Sequence, residues 1–472
     1  MRAMAPREPL VSRGAATHRT LALRLLRASA ILVAGLAVAM WLFGDTWRHH
    51  FPAAENANAT AEIRFAHFGG YEEYVLWREA IQAFEREHPR VRVRQEFVVG
   101  GQALYHGKLS RQASAADLPD VFLVQAGPFN DLADQLADVG GVLNAVPNPD
   151  GRSEEISELD VLGVEAFRVD GVQRALPVCG GPLLIYVNLA CFDRATRFLG
   201  SVVPQPHEDW TIDEFLTIAS QATIRDARLE GGAQFGFWHP RWVYYLPFLW
   251  SFGADVGDAQ GWALEGGEAE SALTLYHDLL RVHRVCPGDA ELPQVWQDVA
   301  FLTGRVAMCV NGPWFERFIE GGVTGDIGRF DVLPIPRGPG GRWTRVTWDG
   351  AALNPSTTGA RRRAAEAFLR HLLSGPVQDR LAAQGLAMPA RRASLDAYVT
   401  GPRAAQRARF VEALAYSRLQ PRFPRFQEVD QLLNRSLDRY LNEADDRSAR
   451  EFLADLRAEP LIRACFETGG GS

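Results

Sequence analysis

The chain has 472 residues, 47% hydrophobic and 23% charged, with a formal net charge of -7. This is globular composition: it excludes fibrous and disordered classes, and the acidic balance argues against nucleic-acid partners, which select basic patches. From Glu62 onward the chain is too long for one hydrophobic core, so two lobes are expected.

Arg13, Arg19, Arg24 and Arg27 precede an apolar run at 28–43, which residues 21–26 extend. Positive residues followed by an apolar stretch form the layout of a secretory signal, and the Arg placement directs the following chain out of the cytoplasm. No Cys follows that would accept a lipid, and the nearest small-x-small pattern, Ala57-Asn58-Ala59, lies well past the apolar run. The segment therefore reads equally as a cleaved signal and as an uncleaved membrane anchor, with a polar linker up to residue 61. The body is expected in the periplasm or at the cell surface. Cys179, Cys191, Cys286, Cys309 and Cys465 match no metal-ligand spacing. No metal and no other cofactor is expected, and an odd count leaves at least one thiol unpaired.

A strand at 63–66 leads through a loop at 67–71 into a helix at 72–88. Val75, Leu76, Ile81 and Phe84 keep helical spacing there. Pro89 stops the helix, and 91–98 alternates as a strand. A helix to about 115 and an apolar strand ending at Gln125 follow. Strands alternating with helices predict a mostly parallel α/β sheet. Ligands of such sheets lie beyond the carboxyl ends of the strands, which nominates Tyr71 and Gln125. Asp170-Gly171 turns a short hairpin, and 183–188 is a strand. Thr211 and Glu214 form a capping box for the next helix. A short strand at 235–237 precedes an aromatic-dense segment at 238–253. After helices at 268–283 and 293–303, Gly304 is a helix stop and 306–310 a strand. Asn311-Gly312-Pro313 then forces a turn that delivers Trp314. Strands at 330–334 and 346–353 follow, the second broken at Gly350. Helices at 361–374 and 376–384, a loop through Arg391 and a largely helical remainder complete the chain, with 467–472 a frayed tail.

The order of these landmarks resembles the extracellular solute-binding proteins of ABC importers, in the maltose-binding-protein-like cluster for oligosaccharides and glycerol phosphates. The resemblance covers about 63–440. It rests on Phe84-Glu85 with Pro89, Leu118-Pro-Asp-Val121, Asp170-Gly171 with Ala175-Leu-Pro177, Leu184-Ile-Tyr-Val-Asn188 and Trp210-Thr-Ile-Asp-Glu-Phe215. It continues with Gly304-Arg-Val-Ala-Met308 with Gly312-Pro-Trp314, Val332-Leu-Pro-Ile-Pro336 with Gly338, and Met388-Pro-Ala-Arg391. It implies a two-lobed, type II periplasmic-binding-protein fold of the α/β class. Lobe one would be 62–177 plus 350–419, and lobe two 178–349 plus 420–466. Hinge passages would lie near 177–181, 348–350 and 420–424. It further implies a monomer that carries a small-molecule ligand to a membrane permease. Two departures stand out: Val187 separates Tyr186 from Asn188, and Gly180-Gly181 replaces polar side chains that in relatives often contact ligand.

Sugar recognition needs aromatic faces for the pyranose C–H surfaces and polar groups for the hydroxyls. Trp314, Trp348, Trp238, Trp242 and Tyr245 are the candidate rings at cleft positions of the family, each with a core role as its alternative. Gln125, Asn311, Asp349, Gly180, Tyr71 and Arg391 are the remaining candidate contacts. Asp349 and Asn311 also read as turn formers, and Arg391 as solvated surface. No Gly-x-Ser-x-Gly or His-Glu-x-x-His pattern is present, so no enzyme is expected. A glycerol-phosphate binder, a glycosidase and a membrane-anchored sensor are the alternative functions.

Overall fold

Ile63 and Phe65 are fully buried in β1 (Ala61–Gly69), which pairs in parallel with both β2 (Val91–Val99) and β3 (Val121–Gln125). Helix Tyr71–Glu87 links β1 to β2, and helix Gln102–Ser114 links β2 to β3. The first helix presses Leu76, Trp77, Ala80, Ile81 and Phe84 onto the sheet at the spacing expected of one helix face. In this computed structural model the described residues are 60–466, apart from 100–101, 144–155, 227–231, 241, 259–260, 289–290, 293–296, 321–328, 424, 443–444 and 446. The described residues fall within one compact unit. The predicted signal or anchor, the linker before residue 60 and the 467–472 tail lie outside the described residues. No described helix is long and apolar enough to cross a membrane.

β4 (Arg168–Val169) and β5 (Val172–Gln173) form the expected hairpin. Its turn holds Asp170 at φ 49° and Gly171 at φ 77°, the left-handed pair that tight hairpins use. β6 (Ala175–Pro182) continues almost directly into β7 (Leu184–Asn188). β8 (Gly257–Asp258) and β9 (Gly261–Trp262) make a small ribbon. β10 (Met308–Asn311) and β11 (Phe330–Leu333) flank β7 in an antiparallel three-stranded sheet. β12 (Thr344–Leu353) then enters the first sheet between β6 and β3, antiparallel to both. β13 (Met388–Pro389) extends that sheet beyond β6, and β14 (Ser417–Leu419) lies parallel beside the start of β12.

The first sheet is therefore seven-stranded and mixed. The parallel arrangement expected from the strand–helix alternation holds for β1, β2 and β3. It ends at β12, which runs antiparallel to both β3 and β6. The strand expected to break at Gly350 is continuous, with a register shift at Asp349/Gly350. Residues 177–181 and 348–350, expected as hinge passages, are paired strand. Of the three passages, only the one after Gln420 is irregular coil. The strand expected at 235–237 is reduced to single bridges, Phe235 to Val306 and Gln234 to Ile224. Thr211 and Glu214 form the predicted capping box.

Among the described residues three large apolar cores follow from this layout, beside a small cluster of Phe235, Leu292, Ala300 and Val306. One lies between a face of the first sheet and helices Tyr71–Glu87, Gly359–Leu372 and Gly375–Gln384. A second surrounds β7 and β10 with helices Ile212–Gln221, Trp242–Ser251, Gly266–Arg281, Phe426–Asn442 and Ala449–Ala458. The third joins the two sheets, bringing Phe122, Phe129 and Trp348 into one cluster with Tyr186, Phe315 and Phe330. Inside this third region Glu316 is buried and receives Arg407 Nη2 at 2.6 Å, with Arg403 Nε at 3.7 Å. A buried carboxylate that loses its cation keeps the desolvation cost without the compensating attraction. Arg407→Met is expected to lower unfolding stability by about 3 kcal/mol, measured by urea titration; an unchanged midpoint would show that Arg403 alone compensates the charge.

Candidate functional site

The turn after β10 is fixed from several sides. Asn311 Nδ2 donates to Asp298 Oδ1 at 3.0 Å, and Asn311 Oδ1 accepts from the Gly312 amide at 2.9 Å. Tyr186 Oη donates to the Gly312 carbonyl at 3.0 Å. Pro313 opens a single 3-10 turn, Pro313–Phe315. The result is a half-buried Trp314 whose indole lies over Gly312; a Cβ on Gly312 would come within 2.2 Å of the ring. Trp238 is seated beside the same strand, its amide donating to the Met308 carbonyl at 2.9 Å.

Trp314 stands between two hollows, and Gln125, Trp314 and Thr347 belong to the walls of both. Hollow one has a volume of about 1170 Å³. Trp238, Tyr244, Trp314 and Phe426 supply its aromatic surface, and Asn311, Gln297 and Asp298 line it beside β10. Gln427, Asp430, Gln431 and Asn434 line it from helix Phe426–Asn442. Arg345 is buried in its wall, donating from Nη1 to Gln420 Oε1 at 2.5 Å, with its guanidinium 5.6 Å from the centre of the Tyr244 ring. His106, 3% exposed, also lines this hollow and has no hydrogen-bond partner on either ring nitrogen. Burial pushes its pKa down to about 4, so near neutral pH it is an uncharged ring with one donor and one acceptor nitrogen. Burial also lowers the His239 pKa to about 4, and Nε2 of that ring bonds the Tyr276 carbonyl at 2.9 Å.

Hollow two, about 710 Å³, is walled mainly by apolar side chains, among them Phe68, Leu123, Leu302, Trp314, Phe318 and Leu386. Gly180 and Asp349 also line it. A side chain at Gly180 would run into the Thr347 carbonyl at 2.2 Å. At Gly181, with φ +145°, a Cβ would meet the Pro313 ring at 2.4 Å. The glycine pair thus allows β12 and the Trp314 turn to close on β6. Burial raises the Asp349 carboxyl to about 7, so near neutral pH it exists in both charge states and in its acid form donates a hydrogen bond.

Of the residues nominated from sequence, Gln125, Trp238, Asn311 and Trp314 line hollow one, and Gln125, Gly180, Trp314 and Asp349 line hollow two. Four others lie elsewhere. Tyr71 opens its helix 63% exposed and lines neither hollow. Tyr245 is core: its hydroxyl donates to the Ala272 carbonyl and its ring stacks on Phe248. Trp348 is fully buried against Gly163 and Gly180, because neighbouring strand residues face opposite sides. Arg391 Nη2 pairs with Glu158 at 3.0 Å, away from both hollows. The Trp242 side chain lies outside the described residues. The same alternation that removes Trp348 identifies two residues missed from sequence: Arg345 and Thr347 share the strand face of Asp349. Among the described residues no group of three or more His, Cys, Asp or Glu is placed to hold a metal ion, and all five cysteines are free thiols.

The sequence profile of the bacterial extracellular solute-binding proteins matches residues 79–406, more than half of the chain. The chain belongs to that family. No curated protein sequence matches it. Solved structures resemble this solute-binding protein over most of its length. An ABC substrate-binding protein from Listeria monocytogenes in complex with cycloalternan shares 21% identity at a TM-score of 0.73, covering 87% of this chain and 100% of its own. Maltose-bound MalE3 of T. maritima shares 20% at 0.69, covering 86% and 100%. UgpB from Mycobacterium tuberculosis, in complex with glycerophosphocholine, shares 17% at 0.68, covering 85% and 98%. Likeness at these identities establishes the two-lobed α/β fold of the solute-binding proteins.

Two measurements check the construction of the site. Gly312→Ala should unseat the Trp314 indole, changing near-UV circular dichroism and tryptophan emission while far-UV circular dichroism is retained; unchanged aromatic spectra would contradict the contact. The second concerns Asp349, an acid whose folded pKa lies above its ordinary value of 3.8. Between about pH 4 and about pH 7 the folded state holds a proton that the unfolded state has lost, so this group's contribution to stability falls as pH rises and levels off above about 7. Asp349→Asn removes that fall. The variant should gain on the parent by on the order of a few kcal/mol at pH 8 and match it near pH 4, read from urea titrations.

Proposed function

We propose that this chain is the substrate-capturing component of an ABC importer, and that its ligand is a sugar or oligosaccharide held in hollow one. The observation that carries the reading is the composition of that hollow: the aromatic rings of Trp238, Tyr244, Trp314 and Phe426 stand among amide, carboxylate and neutral imidazole groups. Stacking faces with interleaved hydrogen-bonding groups are what a pyranose requires. The relatives are described as bound to cycloalternan and to maltose, which agrees with this reading. A glycerol-phosphate ligand is the alternative, and a relative bound to glycerophosphocholine supports it. Among the described residues lining hollow one, Arg345 is the only Lys or Arg, and it is already bonded to Gln420. That favours an uncharged polyhydroxylated ligand over a phosphate, which calls for several converging cations or amides.

Capture works by population shift: a ligand that touches both lobes binds the closed form better and so favours it. The lobes would divide as 62–177 with 350–419 and 178–349 with 420–466. The closed protein would meet the permease as a monomer, outside the cytoplasm, secreted or anchored through residues of about 21–43. We read the chain as a binder without catalytic turnover; labelled oligosaccharides incubated with it should be recovered intact, and any hydrolysis would count against this.

A thermal-shift screen across sugars, polyols and glycerol phosphates identifies the ligand class, since only a specific ligand raises the unfolding temperature by mass action. For the saccharide it identifies, Trp314→Ala should weaken binding by about tenfold to a hundredfold in calorimetry, the range expected for losing a central aromatic contact. Unaltered affinity in a folded variant would remove Trp314 from the site.

A further inference from the structure

The two hollows differ in what they offer a ligand, and they meet at Trp314. Hollow one is rich in hydrogen-bonding side chains. Hollow two is bounded chiefly by Phe68, Leu123, Leu302, Trp314, Phe318 and Leu386. Four charged residues border it, Glu72, Glu73, Arg317 and Asp349, and two of them are occupied by one another. Glu73 forms an ion pair with Arg317 and also accepts from the Gly70 amide at 2.8 Å. The Arg317 guanidinium in turn covers the Phe318 ring at 4.6 Å. A sugar placed here would lose water from its hydroxyls and find few groups to replace it, a costly exchange. An apolar group would lose nothing of that kind and would gain from burial. The space, about 710 Å³, falls in the range of pockets that enclose drug-sized molecules.

We infer that the ligand is a glycoside with an apolar aglycone, its saccharide in hollow one and its alkyl or aryl group passing Trp314 into hollow two. The inference rests on the saccharide reading of hollow one. Its support is the shared wall: Gln125, Trp314 and Thr347 border both spaces, so the two adjoin at these side chains and a ligand extending from hollow one past them would enter hollow two. Trp314 then serves two chemistries, with indole surface toward the sugar on one side and toward the hydrocarbon on the other.

The test is a chain-length series on the intact protein, using methyl, butyl, hexyl and octyl glucosides and maltosides below their micelle-forming concentrations, with affinity followed by tryptophan emission and calorimetry. Affinity should rise by about fourfold for each added methylene until hollow two is filled, the increment expected for full burial of that group. Octanol alone should bind far more weakly than octyl glycosides. Phe318→Asp, at a position 42% exposed, should flatten the dependence on chain length while the variant still unfolds cooperatively. Affinity independent of chain length in the parent protein overturns the inference and leaves the saccharide reading standing. So does a Phe318→Asp slope equal to that of the parent. Octanol binding as tightly as octyl glucoside shows an apolar site with no saccharide share, and also overturns it. If none of the glycosides binds and no saccharide stabilises the protein, both the inference and the reading beneath it fail.

Discussion

The close approach of β6 to β12 is the constraint on which the site depends. At Gly180 there is no room for a Cβ against the Thr347 carbonyl, and at Gly181 none against Pro313. The second position also has a backbone angle of φ +145°, which side-chain-bearing residues rarely adopt. Because the strands close to this distance, β12 can stand between β6 and β3 and present Arg345, Thr347 and Asp349 toward the hollows. The Trp314 turn can rest on β6 for the same reason. A polar side chain at 180 or 181 would have to displace strand or turn before it contacted any ligand.

Around that contact the polar groups are distributed unevenly. Asn311, Asp298 and Tyr186 fix the backbone on which Trp314 is mounted. Glu316, two residues further on, is held by Arg407 inside the apolar cluster that joins the two sheets. The indole therefore sits between a hydrogen-bonded turn and a buried ion pair, with little freedom to leave its place. Rigid placement of an aromatic ring reduces the ordering cost that a ligand must overcome on binding. Buried groups without partners are found nearby: His106 has two free ring nitrogens, and Arg345 Nε and Gln420 Nε2 also have none. All three residues line hollow one, where a hydroxylated ligand would satisfy them.

Much of the fold was legible from periodicity and punctuation. The helix carrying Val75 to Phe84, the Asp170-Gly171 hairpin and the Thr211–Glu214 box are local features, and local chemistry specifies them. The site was only partly legible. Trp348 and Asp349 were nominated together, yet adjacent residues on a strand face opposite ways, and β12 sends one to the core and the other to a hollow. Tyr245 was drawn in by its aromatic neighbours, although one turn of helix is enough to point it into the core. The contribution of helix Phe426–Asn442 was missed altogether. Its polar stripe of Gln427, Asp430, Gln431 and Asn434 has the spacing of any solvent-facing helix surface.

The sequence by itself determined the alternation of strands and helices, the export layout of the first residues, the family likeness and the turn that delivers Trp314. Each of these is written in neighbouring residues or in the order of short motifs. Only the tertiary structure decided which rings border a hollow and which fill the core. It alone showed that residues 177–181 and 348–350 are paired strands, and that one polar helix face encloses a cavity. It also set the contrast between a polar and an apolar space on either side of Trp314. Those outcomes depend on contacts between segments more than a hundred residues apart, such as β3 with β12 and Tyr186 with Gly312, and no local pattern encodes which surfaces will meet.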